Sequence, residues 1–288
     1  LYIHAWQNKK PYPAVYVNGQ INQQILEVAK ITKKPSDSLP TTTDLVGWNA
    51  YLQQHFLRPV WMDHSDLMYV QLDPKHSQLE PLFVKLGMVD DIKPKRKKYD
   101  VLFVFGGTPE WTFQRFKFLR ENIRQKLINV SGNAEIFYIN GHRQLPEVEV
   151  EEAKNLGLDC EYQAQCAQLI WNEYFQQLPL KLNVITATPP EGRRANTDDT
   201  LKLFFTMLPQ TKQNLLGYSN APYVPYQADT ALAVAIREKK TNLNIEVVGA
   251  GIENKKVPTV VYLDSLARRV YTFVALSVEQ RDRFEDLH

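Results

Sequence analysis

The sequence predicts an α/β fold: a doubly wound, mainly parallel Rossmann-like sheet of about five strands with an N-terminal helical cap. Three observations carry this expectation. Short apolar runs recur at 100–105, 135–139, 182–187, 214–219 and 244–249, with little of the polar alternation of a sheet that faces water on one side. Segments with helical spacing separate them, the alternation that a parallel sheet requires. The runs also end in loops rich in Gly, Asn, Ser or Arg, as strands leading to a binding edge do.

The elements follow in chain order. Residues 1–98 read as a helical and irregular cap region, and 99–288 as the Rossmann-like domain. Ile21, Ile25, Val28 and Ala29 recur at helical spacing, and that segment stops at Lys34-Pro35. Asp44 caps a second helix with Leu45, Trp48, Leu52 and Phe56 on its apolar face. A third carries Leu79, Leu82, Phe83 and Leu86, with Gly87 as its stop. In the second region, Thr108, Pro109 and Glu110 form a strong helix start: cap, first-turn proline and an acid beside the positive end. Helices are expected at 148–155 and 164–177, with a short strand near 159–162 between them. Further helices follow at 197–208, 222–239 and 259–276, the last with Val260, Leu263, Ala267, Val270 and Val274 on one face.

Composition narrows the function classes. The 288 residues are 44% hydrophobic and 23% charged, with a formal net charge of +2, so no overall attraction to nucleic acid is expected. The basic run Lys93–Lys98 reads as a solvated linker where the composition changes. No run approaches the about 20 apolar residues of a membrane span, and no secretory signal is read. Cys160 and Cys166, the only two cysteines, read as buried or incidental thiols of a reducing, cytoplasmic-type compartment, although export into another cell is compatible with the same sequence.

Strands of a parallel sheet end on one edge, and ligands bind outside those carboxyl ends. That rule gathers Gly106, Gly107 and Thr108; Asn140, Gly141, His142 and Arg143; Arg193, Arg194, Asn196 and Thr197; Ser219, Asn220, Tyr223, Tyr226 and Gln227; and 249–253. Glycines let backbone N–H groups approach a ligand, arginines grip phosphate or carboxylate, and tyrosine rings stack. The organising stretch is 182–200, in which a buried strand breaks at Pro189-Pro190, crosses Arg193-Arg194 and restarts as a helix capped by Asn196 or Thr197. His142 and Glu152 are the acid/base candidates. No Walker A loop, HExxH or GxSxG element is present. Asp63-His64-Ser65-Asp66 lacks a second ligand cluster, so no metal site is read.

Gly106-Gly107 follow a strand, with Arg115 in the next helix; Asn140-Gly141-His142 are followed by Glu152-Ala153; and Asn196-Thr197 open a helix. In these elements the chain, over 99–251, resembles the YdcF/SanA/ElyC family of bacterial α/β proteins. The family's last element, a Thr-Ser strand end followed by His and Arg, is here Ser219-Asn220-Ala221-Pro222-Tyr223, then Tyr226-Gln227, without that histidine or arginine. The resemblance implies a Rossmann-like fold with its ligand site at the strand ends. Since a member of that family is associated with S-adenosylmethionine, it also implies that ligand class. The expected function is therefore binding of a nucleotide-like or anionic small molecule, with a transferase activity in reach. A hydrolase or phosphoryl-group enzyme using His142 or Glu152 is the first alternative. A non-catalytic interaction protein with a degenerate pocket, acting through a protein partner, is the second.

Overall fold

The computed structural model describes residues 11–59, 62, 64–67, 70–71, 73–131, 134–188, 193–240, 242–252 and 257–285. The chain divides into two compact units that do not follow chain order. One comprises Leu1–Asp90, Ala221–Asp229 and Gly251–His288; the other comprises Asp91–Asn220 and Thr230–Ala250.

The first unit is helical. It opens with a hairpin of β1 (Tyr16–Val17) and β2 (Gln20–Ile21). The turn residues Asn18 and Gly19 have φ of 51° and 77°, the left-handed pair that a two-residue hairpin turn needs. This Asn-Gly signal takes Ile21 out of the expected helix. α1 (Gln23–Thr32) begins only after Asn22, whose side chain accepts from the Gln24 N–H at 2.8 Å. α2 (Leu45–His55) is capped as expected, Asp44 accepting from the Gly47 N–H at 2.8 Å. α3 (His64–Leu67) is a single turn, and α4 (His76–Lys85) is followed by Gly87 at φ 73°.

The closing helix, Thr259–Glu285, belongs to this unit and completes its core. Trp48, Leu52, Leu79, Phe83, Leu266 and Val270 are fully buried together. Its buried face is broader than the expected one. Val261 and Leu266 lie at its centre, while Val260 and Leu263 are only partly buried. The helix also outruns position 276, because nothing in 277–285 is Gly or Pro. Charges enter this core only in partnership, as burial requires. Asp264, 0% exposed, accepts from Arg268 Nε at 2.9 Å and from the Arg58 N–H at 3.0 Å. Arg269, 1% exposed, donates to Asp229 at 2.7 Å and to the Pro13 carbonyl at 2.6 Å.

The second unit is the α/β layer structure. In order it contains β3 (Val101–Phe105), α5 (Pro109–Arg124), β4 (Ala134–Gly141), α6 (Glu147–Asn155), α7 (Gln163–Tyr174), β5 (Leu180–Ala187), α8 (Thr197–Met207) and β6 (Gln213–Asn220). The later part of α9 (Val224–Arg237) and then β7 (Leu243–Ala250) complete it; the closing helix of the first unit is α10. All five strands pair in parallel, in the order β5-β4-β3-β6-β7. β3 is buried at every position because it is central, which is why its sequence is unbroken Val-Leu-Phe-Val-Phe. Gly217 interrupts β6 because it lies opposite Phe103; a Cβ there would sit 2.5 Å from the Phe103 ring.

Two expectations fail in this unit. The strand near 159–162 is only an isolated bridge, Gln144↔Tyr162, because the segment curls back on itself before α7. Cys160 and Cys166 are not free thiols. They form a disulfide with Cα atoms 5.4 Å apart, closing the same curl. The reducing-compartment reading rested on free thiols and loses that support. The basic run lies within the second unit and is solvated: its lysines are exposed, while its backbone is held to β7, Ile92 bridging Gly249 and the Lys95 N–H donating to Glu246 at 2.8 Å. No helix among the described residues is long and apolar enough to cross a membrane.

Candidate functional site

The chain builds β3, β4 and β5 outward on one side, then returns to lay β6 and β7 on the other. The order therefore reverses between β3 and β6, the position at which open α/β sheets form a crevice. Arg115, expected to grip a ligand there, is instead 2% exposed. Its Nε donates to Asn220 Oδ1 at 2.6 Å, and its Nη1 donates to the carbonyls of Phe105 at 2.6 Å and Gly106 at 2.9 Å. The guanidinium thus ties the ends of β3 and β6 together across the reversal. Ser219 and Asn220 are buried beside it.

Gly106 and Gly107 are glycines for reasons inside the protein. A Cβ at Gly106 would lie 2.9 Å from both Asn140 Cβ and Gln163 Nε2; one at Gly107 would lie 3.0 Å from Arg115 Nη1. The Gly107 N–H donates to the Tyr138 hydroxyl at 3.3 Å, and its carbonyl accepts from Gln163 Nε2 at 2.8 Å. Burial pushes the Tyr138 hydroxyl above the usual tyrosine range, with the Thr112 hydroxyl opposing that rise. Thr108 caps α5 as expected, at 3.4 Å from the Trp111 N–H.

Glu152 reaches the same helix start, where its Oε2 accepts from the Glu110 N–H at 3.3 Å. Burial raises its carboxyl above the usual range. Hydrogen bonds from Thr108 and Glu110 pull it down, and the charges of Glu149 and Glu110 add to the rise. A protein carboxylate therefore already occupies part of the positive end of α5, where a phosphate would otherwise sit.

At the end of β4, Asn140 is 2% exposed. Its Nδ2 donates to the Ile185 carbonyl at 3.0 Å and to Thr186 Oγ1 at 3.2 Å. Its Oδ1 is buried with no hydrogen-bond partner among the described residues. Gly141 admits the loop before α8, since a Cβ there would meet Ala195 Cβ at 2.7 Å. His142 is exposed and stacks on Tyr162, with ring centroids 5.5 Å apart and planes 23° from parallel. Arg143 turns the other way, into a pair with nearly buried Glu149, Nη1 to Oε1 at 2.7 Å.

Beyond β5, Pro189-Pro190 and the rest of 189–192 lie outside the described residues. Arg193 donates twice to Asp199, at 2.8 and 2.7 Å. Those bonds hold the Asp199 carboxyl below the usual range, against partial burial. Asn196 and Asp199 form a reciprocal capping box at the start of α8, with Thr197 as its first residue. Arg194 is exposed.

The structure thus gathers Gly106, Gly107, Thr108, Asn140, Gly141, His142, Arg193, Arg194, Asn196 and Thr197 on one sheet edge. Tyr223, Tyr226 and Gln227 belong to the helical unit. Tyr223 lies in its apolar core, Gln227 is buried, and Tyr226 hydrogen-bonds Arg268. Of 249–253, Glu253 lies outside the described residues, as does Asp63. Among the described residues no group of three or more His, Cys, Asp or Glu side chains could hold a metal ion. Tyr162, Gln163 and Glu149 were missed by sequence reasoning; a Tyr-Gln pair at an uncapped helix start carries no local signal. A groove of about 440 Å³ lies at the opposite, amino end of the strands, lined by Tyr99, Leu102, Ile128, Phe137, Met207 and Pro209. It is remote from the residues above because the strands that join them run the length of the sheet. Compared with protein-family models and with curated proteins, the chain matches none.

Proposed function

We propose that the carboxyl edge of the α/β unit binds a nucleotide-like small molecule, with S-adenosylmethionine as the leading ligand class. The observation that carries this reading is the reversal of strand order between β3 and β6, with the Gly106-Gly107 turn beside it. The exposed His142–Tyr162 ring pair offers a face on which a base can stack. Exposed Arg194 offers a cation for a carboxylate. Glu152 and Asp199, already seated at two helix starts, favour a ligand held by stacking and hydrogen bonds over one carrying several phosphates. A relationship to the YdcF/SanA/ElyC family belongs to the same proposal and rests on Gly106-Gly107, Arg115, Asn140-Gly141 and Asn196-Thr197.

Thermal unfolding against S-adenosylmethionine, S-adenosylhomocysteine, adenine nucleotides, sugar phosphates and divalent metals tests it. A ligand that binds only the folded protein adds about 2.7 kcal/mol at a hundredfold excess over its dissociation constant. An adenosine-type ligand is expected to raise the midpoint of the wild type, and Tyr162→Ala and Arg194→Ala are expected to lose that rise. No shift with any ligand overturns the proposal. The second reading, a non-catalytic interaction protein, gains from one observation: Arg115, Arg143 and Arg193 each hold an internal partner.

A further inference from the structure

We propose that the Cys160–Cys166 disulfide is a redox-sensitive clamp that holds the first turn of α7, and with it Tyr162 and Gln163, against the ends of β3 and β4. The turn has a weak start. Its cap residue, Tyr162, makes no side-chain capping bond, no acidic residue stands in the first turn, and the entry is braced from within by Gln165 Oε1, which accepts from the Glu161 N–H at 3.0 Å. A helix start left this way tends to fray. Yet this turn carries several contacts to the sheet edge. The Leu145 N–H donates to the Glu161 carbonyl at 2.8 Å, and the Gln163 N–H donates to the Arg143 carbonyl at 3.1 Å. Gln163 Nε2 holds the Gly107 carbonyl at 2.8 Å, and Tyr162 stacks on His142.

The disulfide joins the residue just before this curl to one in the first turn, so it closes the loop that these contacts depend on. Both cysteines are 2% exposed. A reductant therefore reaches the sulfurs during transient openings of the turn. The reducing partner is a dithiol. Its thiolate attacks one sulfur, forms a mixed disulfide and expels the other cysteine as thiolate; its second thiol then displaces the first cysteine. Two electrons and two protons pass to Cys160 and Cys166, leaving two thiols and an oxidised dithiol. Opening the loop frees Gln163 from Gly107 and Tyr162 from His142, while the β3 ladder stays paired.

The test needs no ligand. Thiol titration of the denatured protein, purified without reductant, is expected to find no free thiol. Amide hydrogen exchange is then compared between the oxidised protein, the dithiol-treated protein and the Cys160→Ser/Cys166→Ser double variant. Exchange at Leu145 and Gln163 is expected to accelerate by about tenfold or more in the last two, with Phe103 and Val104 of β3 unchanged. Two titratable thiols in the untreated protein would overturn the proposal. So would unchanged exchange at Leu145 and Gln163, or equal acceleration in β3, which would make the bond a global staple.

Discussion

Arg115 is a ligand-type residue whose partners are inside the protein. Three acceptors, the carbonyls of Phe105 and Gly106 and the amide of Asn220, depend on one guanidinium. Arg115→Met keeps much of the volume but removes the donor that these buried acceptors share, at a cost on the order of 3 kcal/mol. Denaturant unfolding is expected to show that loss, and a change within a few tenths of a kcal/mol would assign the residue to a ligand instead. The residue types of the edge were legible in the sequence, but their partners were not. Arg193 and Asp199 stand six positions apart across a helix start, and Arg143 and Glu149 likewise. Such spacing becomes a pair only when the chain bends at the helix entry, and a one-dimensional reading has no bend.

Helix starts were the most legible elements, because capping is local. Asp44, Thr108 and Asn196, each read as a cap, all accept from the N–H group three positions on. The second carboxylate at α5 was not legible, since Glu152 comes from α6. Its raised folded-state value means that the folded protein holds the proton more tightly than the unfolded chain. That contribution is complete below the unfolded value and is lost as pH rises through the folded one. Glu152→Gln keeps an acceptor for the Glu110 N–H but cannot ionise. It is therefore expected to match the wild type around pH 4 and to be the more stable protein around pH 7, as read by urea unfolding at both. An advantage confined to acid pH would contradict this account. The hairpin at Asn18-Gly19 had a readable signal that helical spacing at Ile21 obscured. The bridge at Tyr162 had none, because it depends on the curl that the disulfide closes.

At the scale of the molecule, the helical unit draws its core from both ends of the chain. Trp48, Leu52 and Phe83 share it with Val261, Leu266 and Val270 of α10. A fragment ending at residue 98 lacks that helix and is expected to show no cooperative thermal transition and poor dispersion of its amide resonances. A cooperative fragment would mean that the N-terminal helices suffice. The sequence by itself determined the α/β class, the five parallel strands and most helix starts, because hydrophobic period and capping are properties of neighbouring residues. Only the tertiary structure decided that α10 joins the N-terminal helices and that the strands run β5-β4-β3-β6-β7. It also decided that Cys160 meets Cys166 and that Arg115 and Arg143 turn inward. Each of these depends on where the chain returns in space, which burial of the whole apolar surface selects and no local pattern encodes.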